Sequence, residues 1–202
     1  MHVSLSHWIL ATLVVSNPYV AASLPPAISQ NCFQIAVHPL PIQQVASYFP
    51  PREIADLLAT EAIRRTIALY PLVIDGRDWD SLGNIFADNA VANYSDPIGV
   101  VEGPSGIKSG LQPGLAQFAG TQHMLGASVI DVCSPDSAIS VTYYTASHFL
   151  SSNSTATSIT DDSQVLYAYG QYQDTWKRQK DGTWKIIYRN LVYMGPLISD
   201  VS

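Results

Sequence analysis

The amino-acid sequence predicts an α+β fold in which helices come first and a strongly bent antiparallel sheet follows. Between about residues 51 and 86 apolar residues recur at helical spacing, whereas after residue 90 apolar and polar residues alternate with the period of strands. Turn sequences at 134–137 and 180–182 separate the later strands. This order of elements is typical of α+β domains, and a curved sheet wrapped around helices forms a cone that encloses a ligand pocket.

The first helix is expected to begin near Pro51, because proline is favoured in a first helical turn, and to kink or end at Pro71. Its apolar stripe would consist of Ile54, Leu57, Leu58, Ala62 and Leu69. A short second helix is predicted over 78–86 with Asp78 as its N-cap, and a third one around 106–118. Strands are predicted at about 90–95, 121–133, 138–150, 164–177 and 184–193.

The composition indicates one globular domain with a small-molecule ligand. With 202 residues, 47% of them hydrophobic, the chain can bury a sizeable core. Only 13% of the residues are charged and the net charge is −6, which argues against disorder and against nucleic-acid binding. No cysteine or histidine pair has the spacing of metal ligands, so neither a metal nor a cofactor is expected.

Residues 1–22 are predicted to be a signal peptide, which places the protein in the secretory pathway or outside the cell. The apolar segment 8–15 is too short to span a bilayer, and small residues at 20–22 offer a cleavage site. The mature chain would then have no membrane segment. The alternatives are an apolar N-terminal strand and a retained anchor.

Residues 23–50 are rich in proline and are predicted to form an extended arm, followed by one domain over 51–195 and a tail over 196–202. Cys32 in the arm and Cys133 in the sheet suggest a disulfide in a secreted chain; two buried free thiols are the alternative. Asn93 and Asn153, the latter in the polar loop 151–163, are candidate glycosylation sites.

His123 and His148 lie within predicted strands, and Asp75 lies in an acidic turn upstream. Imidazoles that point into a pocket are suited to proton transfer near neutral pH, and a carboxylate can fix the tautomer of one of them. Each residue has a simpler interpretation. His123 could be a core histidine bonded to the backbone, His148 a residue of the pocket rim, and Asp75 a turn former.

The order of elements resembles the nuclear-transport-factor-2-like cone fold and, within it, the SnoaL-like group. The closest resemblance is to the scytalone dehydratase family, over residues 52–193. The matching segments are 74–80, 91–94, 121–123, His148 and the hairpin 176–185. This resemblance implies catalytic roles for Asp75, His123 and His148, and a role for Tyr94 in holding a water on the substrate carbonyl. Members of the group associate as dimers or trimers, so a homo-oligomer is expected.

The chain departs from the resemblance at Ile74, where the family has a tyrosine, and at Gln171 and Gln173, where it has small polar residues. Strand alternation would place Tyr94 inward and Asn93 outward. By the same alternation Tyr167, Tyr169, Gln171 and Gln173 share one side of their strand. That side could bind a planar, oxygenated ligand; ordinary sheet packing is the alternative.

The sequence therefore predicts a fungal-type enzyme of secondary metabolism, a cofactor-independent lyase or isomerase. Its substrate would be a small, apolar, oxygenated polyketide or terpenoid, and its reaction a dehydration with linked isomerisation or cyclisation. Dehydration beside a carbonyl requires a base, a donor for the enolate oxygen and an acid. A Diels–Alder-type cyclase acting on a quinone-methide-like intermediate is the nearest alternative. A non-catalytic small-molecule binding protein is the alternative from a different class.

Overall fold

The computed structural model describes residues 35, 38–51, 56–150, 165–196 and 198–199 of the chain. Within this part, two α-helices, α1 (Leu57–Asp75) and α2 (Gly103–Leu115), pack against a seven-stranded sheet. The strands are β1 (Phe86–Asn93), β2 (Val100–Glu102), β3 (Phe118–Ser134), β4 (Ser137–Leu150), β5 (Val165–Arg178), β6 (Trp184–Tyr193) and β7 (Ile198–Ser199). Two 3₁₀ helices, Ile42–Tyr48 and Trp79–Asn84, precede α1 and β1 respectively. The predicted α+β class is confirmed.

Helix α1 begins later and ends later than the sequence predicted. Asp56 is its N-cap, because the Asp56 carboxylate accepts a hydrogen bond of 2.9 Å from the Ala59 N–H. Pro71 does not end the helix, which continues to Asp75. The prediction that Leu57 and Leu58 face the core is wrong, since both are exposed. The buried stripe consists of Ala59, Thr60, Ile63, Ile67, Tyr70, Val73 and Ile74.

The chain turns sharply after α1. A Cβ atom at Gly76 would lie 2.7 Å from the Leu72 carbonyl oxygen, so only glycine fits at this position. Arg77 follows with a φ of 57°, in the left-handed region that few non-glycine residues adopt. The segment predicted as a second α-helix over 78–86 is instead the 3₁₀ helix Trp79–Asn84. This turn places Asp75, the last residue of α1, against β3.

The strand order of the sheet is β2-β1-β6-β5-β4-β3, and β7 pairs with β5. All neighbouring strands are antiparallel except β1 and β6, which are parallel. This pair joins the first strand of the chain to the last long strand. Irregularities in β3 between Leu125 and Ser128, and in β6 between Ile186 and Tyr188, interrupt the register. Bulges of this kind bend a strand and increase its twist, which gives the sheet its curvature.

The sheet has two buried faces. We call the face of β3–β6 that packs against α1 the inner face and the opposite one the outer face. The inner face contributes to the main core Ala138, Tyr144, Ala146, Ala168, Tyr172, Trp176 and Ile186. On the outer face, Ile35 and Leu40 of the arm pack against Cys133, Ile139 and Val141. The arm is not fully extended, because it contains the 3₁₀ helix Ile42–Tyr48.

The side chain of Gln173 holds the arm on the outer face. Its Oε1 accepts a hydrogen bond of 2.7 Å from the Leu40 N–H, and its Nε2 donates one of 3.1 Å to the Leu40 carbonyl. Thr175 Oγ1 also donates to the Ile35 carbonyl at 2.8 Å. Cys133 carries no free thiol. Because Cys32 lies outside the described residues, the Cys32–Cys133 disulfide stays a prediction, as do the signal peptide and the glycan at Asn153.

A fully buried ion pair lies at the base of the inner face. Arg189 donates to both carboxylate oxygens of Asp174, at 2.7 and 2.8 Å, and neither residue is exposed. The guanidinium carbon lies 4.3 Å from the ring centroids of both Tyr70 and Tyr172. A cation held between aromatic faces and a bidentate carboxylate has replaced its water shell almost completely. The interior of the cone is therefore filled at this depth.

Gly170 leaves room for an aromatic ring on the inner face. A Cβ at this position would lie 2.6 Å from Tyr144 Cε1 and 2.5 Å from the Val192 carbonyl oxygen. We expect Gly170→Ala to destabilise the protein by about 1–3 kcal/mol, because the ring and the strand must both move. Chemical denaturation would measure this loss. Gly83→Ala, where no atom lies within 4 Å of the added Cβ, is the matched control; equal midpoints for the two variants would contradict the prediction.

Candidate functional site

Asp75 and His123 form a hydrogen-bonded pair at the end of α1. The His123 Nδ1 lies 2.7 Å from Asp75 Oδ1, and the His123 backbone N–H donates to Asp75 Oδ2 at 2.8 Å. Since an ionised carboxylate can only accept, the ring carries its proton on Nδ1, and Nε2 is left with a free lone pair. Thr121 Oγ1 donates a third hydrogen bond to Asp75 Oδ1 at 2.8 Å. The carboxylate thereby fixes both the position and the tautomer of the imidazole.

His148 lies beside His123 on the same face of the sheet. Thr121 pairs with His148, and His123 pairs with Ala146, so the two histidines are diagonal neighbours on β3 and β4. Their ring centroids are 5.7 Å apart, with the planes at 79°. The His148 Nδ1 lies 3.2 Å from the Leu166 carbonyl, to which it donates in the neutral form. In their neutral forms both rings therefore present Nε2 as the nitrogen that makes no hydrogen bond to another described residue.

The surroundings of Asp75 and His148 lower the pKa values of both side chains. Burial acts to raise the pKa of Asp75, but hydrogen bonds from the ring and backbone of His123 and from Thr121 outweigh it and hold that pKa below its usual value. Burial, reinforced by the charge of a protonated His123, lowers the pKa of His148 below its ordinary value of 6.5. At neutral pH, Asp75 is therefore ionised and His148 is neutral.

The site is reachable from outside the core. The side chain of His123 is 9% exposed and that of Asp75 is 23% exposed, whereas the Asp174 and Arg189 side chains below are fully buried. Phe118 packs against His148, with 4.8 Å between the ring centroids, and Tyr144 lies 6.4 Å from the His123 ring. A molecule that contacts the two histidines thus also meets aromatic surface. The three residues predicted to be catalytic, Asp75, His123 and His148, are brought together.

Tyr94, the fourth predicted catalytic residue, lies elsewhere. Its side chain points inward, as predicted. The neighbouring Asn93 is half-exposed, and its Oδ1 accepts a hydrogen bond of 2.9 Å from the Ser95 N–H. However, Tyr94 is 1% exposed, and its hydroxyl lies 3.2 Å from that of Tyr70 in the main core. Burial raises the pKa of Tyr94 well above its usual value. Within the described residues, no hydrogen bond joins Tyr94 to the Asp75–His123–His148 group.

The predicted substrate-binding set on β5 is on the wrong face. His148 pairs with Leu166 and Tyr144 pairs with Gly170, so the even-numbered residues of β5 share the face of the histidines. Tyr167, Tyr169, Gln171 and Gln173 lie on the outer face instead. The physical reason is that the outer face is also buried at Gln171 and Gln173, although Tyr169 is exposed. Gln173 bonds to the arm, and Gln171 Oε1 accepts from Gln173 at 3.1 Å. Polar side chains there satisfy the backbone of the arm.

Two residues near the histidines were missed by the sequence analysis. Thr121 precedes His123 by two positions, and Tyr144 precedes His148 by four, so strand alternation alone puts both on the face of the histidines. Tyr144 stacks on Tyr172, with the centroids 4.5 Å apart and the planes at 13°. The alternation was available in the sequence.

A separate pocket of about 400 Å³ lies at the middle of β3–β5 and the end of β6. It is lined by Met124, Leu125, Gly126, Tyr143, Tyr144, Thr145, Tyr169, Gly170 and Met194. Tyr169, from the predicted set, contributes to it, but neither histidine does. Among the described residues, no group of three or more potential metal ligands converges. No helix in the same part of the chain is long and apolar enough to cross a membrane.

Comparison with known proteins gives the fold an independent match. A family model described as a SnoaL-like domain matches residues 55–190. A search of the curated proteins found no match.

Among solved structures, a candidate scytalone dehydratase from Novosphingobium aromaticivorans DSM 12444 is 25% identical, with a TM-score of 0.58, over 69% of this chain and 86% of that one. The hexachlorocyclohexane dehydrochlorinase LinA-type3 from Novosphingobium barchaimii LL02 is 17% identical, with a TM-score of 0.57, over 70% and 91%. The protein Kfla4162 from Kribbella flavida is 16% identical, with a TM-score of 0.58, over 68% and 91%. The two matches below 25% identity show similarity of fold alone.

Proposed function

Since this chain belongs to the SnoaL-like domain family, we propose that it is a cofactor-independent enzyme that eliminates water from a small, apolar, oxygenated metabolite. The resemblance to a candidate scytalone dehydratase supports elimination as the type of reaction. The polyketide or terpenoid character of the substrate and a place in fungal secondary metabolism belong to the same proposal. The finding that carries it is the convergence of Asp75, His123 and His148 on one half-open site.

The reaction follows from the free nitrogen of each ring. His123 Nε2 accepts a proton from the carbon next to the substrate carbonyl, and the imidazolium that forms is stabilised by Asp75. The electron pair left on carbon is delocalised onto the carbonyl oxygen as an enolate, which either takes a proton back from His123 or forms the new double bond as the C–O bond to the neighbouring hydroxyl breaks. In the second case His123 gives its proton to the departing oxygen, and water leaves. Because the imidazolium exchanges its proton with solvent, reversal of the first step in D₂O places deuterium on the carbon next to the carbonyl.

His148 has a different part in this scheme. Because burial keeps it neutral, its Nε2 accepts a hydrogen bond from the substrate hydroxyl and holds that group beside His123. The aromatic rings of Phe118 and Tyr144 provide the apolar contacts of the substrate. A β-hydroxy ketone carried on a flat, unsaturated skeleton satisfies all of these contacts. The same groups suit a substrate that enolises before it loses water.

Proton abstraction can be tested without knowing the natural substrate. The protein is incubated in D₂O with a panel of β-hydroxy and β-alkoxy aryl ketones, and mass spectrometry follows deuterium uptake next to the carbonyl and loss of water or of the alcohol. We expect uptake and elimination with the wild type, and neither with His123→Gln. His38→Gln, which removes an exposed histidine of the arm, is the matched control and is expected to retain both.

The outcomes separate the proposal from its rivals. A binding protein would retain ligands equally well with or without His123 and would exchange no deuterium. A cyclase that only orients its substrate would close a ring on a diene precursor with little dependence on His123. Either result, with folded protein, would overturn the elimination reaction.

The pH dependence of turnover follows from the direction of the His148 shift. Protonated His148 cannot accept a hydrogen bond at Nε2, because it donates from both nitrogens. Since the pKa of His148 is lowered from 6.5, the contribution of His148 to turnover persists somewhat below that pH and is lost only as the pH falls through the lowered value. Because the base His123 must also be neutral, kcat profiles of the wild type and of His148→Gln between pH 4 and 8 (on the order of the range in which His and Asp titrate) separate the limb of His148, which only the wild type shows. A limb that is absent from His148→Gln and centred above 6.5 in the wild type would contradict the assignment.

A further inference from the structure

Arg77 lies directly behind the Asp75–His123 pair and has no part in the reaction just described. It is half-buried, and its guanidinium makes three hydrogen bonds. Nη1 donates to the Ile74 carbonyl at 2.7 Å and to Thr121 Oγ1 at 3.0 Å, and Nη2 donates to the Leu115 carbonyl at 3.0 Å. The two carbonyls are at the C-terminal ends of α1 and α2, where carbonyl groups lack helical partners. Arg77 therefore joins both helix ends to β3.

The contact with Thr121 decides the direction of a hydroxyl proton. A threonine hydroxyl has one proton to donate, and the Arg77 N–H can only donate. Because Thr121 Oγ1 accepts from Arg77, its own proton goes to Asp75 Oδ1, 2.8 Å away. The hydrogen bonds therefore run in one direction, from Arg77 to Thr121 and from Thr121 to Asp75. Asp75 then accepts from Thr121 and from the ring and backbone of His123.

The backbone at Arg77 is consistent with a requirement for this side chain. With a φ of 57°, the position favours glycine, and an L-residue there costs about 1–2 kcal/mol. A side chain kept in such a conformation must return free energy through its contacts. The contacts at hand are the two helix ends and the threonine.

We infer that Arg77 is a positioning residue: by directing the Thr121 hydroxyl to Asp75, it holds the carboxylate in place and keeps His123 in the tautomer with a free Nε2. The inference rests on the proposed function in so far as it concerns turnover. The charged or titratable groups that face Asp75 and His123 are Arg77 itself and His148 of β4, with Tyr144 beyond them. The Asp174–Arg189 pair lies deeper, behind the stacked rings of Tyr144 and Tyr172.

Three substitutions distinguish positioning from simple support of the helix ends. Thr121→Val removes the hydrogen bonds that join Arg77 to Thr121 and Thr121 to Asp75, and it keeps the contacts of Arg77 with both carbonyls. Thr121→Ser retains the hydroxyl and should behave as the wild type. Arg77→Met removes both the hydrogen bond to Thr121 and the hydrogen bonds to the two helix ends. Arg64→Met is the control, because it breaks only an exposed pair between Arg64 and Glu61 within α1.

The first readout is the tautomer of His123, from the ¹⁵N chemical shifts of its ring in the ligand-free protein. We expect one Nδ1–H form in the wild type, Thr121→Ser and Arg64→Met, and a mixture of tautomers in Thr121→Val and Arg77→Met. The pKa of His148 should also rise in Arg77→Met, because the guanidinium charge contributes to lowering it. The second readout is kcat, expected to fall roughly 10–100-fold in the two altered variants with KM nearly unchanged.

A single Nδ1–H tautomer in Thr121→Val would overturn the inference, whatever the melting temperature of Arg77→Met. If Arg77→Met does not fold, the threonine pair still decides. If the wild type shows no turnover with any substrate, the elimination reaction fails, while the tautomer measurement continues to test the role of Arg77.

Discussion

His123→Gln and Asp75→Asn are each expected to lower turnover by about 10²–10⁴-fold while leaving the fold intact. Glutamine has no basic nitrogen and cannot take the proton from carbon. Asparagine can accept only at its carbonyl oxygen, whereas Asp75 accepts three hydrogen bonds, so the tautomer of His123 is no longer fixed. Single-turnover kinetics on the substrate found by deuterium exchange would measure both losses.

The two effects should not add. Because Asp75 acts through His123, the double variant is expected to be no slower than His123→Gln alone. Circular dichroism and the denaturation midpoint check that each variant is folded. Full additivity of the two losses would show that Asp75 acts independently of the ring and would contradict the arrangement in which the carboxylate serves the imidazole.

Asp174→Asn is expected to cost about 3–5 kcal/mol of unfolding free energy, the largest stability effect that the structure predicts. The substitution leaves the Arg189 guanidinium buried without its countercharge, between Tyr70 and Tyr172. In the wild type the Asp174 carboxylate raises the pKa of the Arg189 guanidinium against the effect of burial. In the variant that support is lost, but a guanidinium is so weak an acid that the buried cation still cannot escape by losing its proton. Urea denaturation followed by tryptophan fluorescence measures the loss.

Two further variants test whether the loss of unfolding free energy comes from the unpaired charge of Arg189. Replacing both partners, as Asp174→Leu with Arg189→Met, should recover most of the stability, because an apolar pair leaves no buried charge. Asp136→Asn removes an exposed carboxylate that pairs with Lys177 on the surface, and it should leave the denaturation midpoint nearly unchanged. A cost for Asp174→Asn as small as that of Asp136→Asn would show that water reaches Arg189.

The positions of the long strands could be predicted from the sequence because they depend on local alternation. The regions 121–133, 138–150, 164–177 and 184–193 overlap β3, β4, β5 and β6. The strand pairing of β1 with β6 could not be predicted, since it is parallel and joins residues about a hundred positions apart along the chain. The three-residue strand β2 is too short to show a period. The start of α1 depends on Asp56, an N-cap that lies inside the helix predicted to begin near Pro51.

Site residues could be predicted where the chemistry of the side chain alone identifies them. They could not be predicted where a role depends on the position of the side chain in the fold. Imidazole and carboxylate groups identified His123, His148 and Asp75 directly. The face of β5 that lies with the histidines was not identified, because the outer face is buried at Gln171 and Gln173 as well, so polarity gave no indication of which face belongs to the cavity. Tyr94 illustrates the same limit: an inward direction does not tell whether a side chain reaches the cavity or ends in the core.

The proposed site is assembled from segments that are remote in the chain, since 48 residues separate Asp75 from His123 and the pair meets only across the end of α1 and the edge strand β3. Partly refolded protein can therefore regain its helices while the proton-transferring groups are still apart, because contacts between distant segments form late. During renaturation the far-ultraviolet signal should return before turnover does. For preparations of this protein, specific activity would then report the fraction of chains that have completed the sheet.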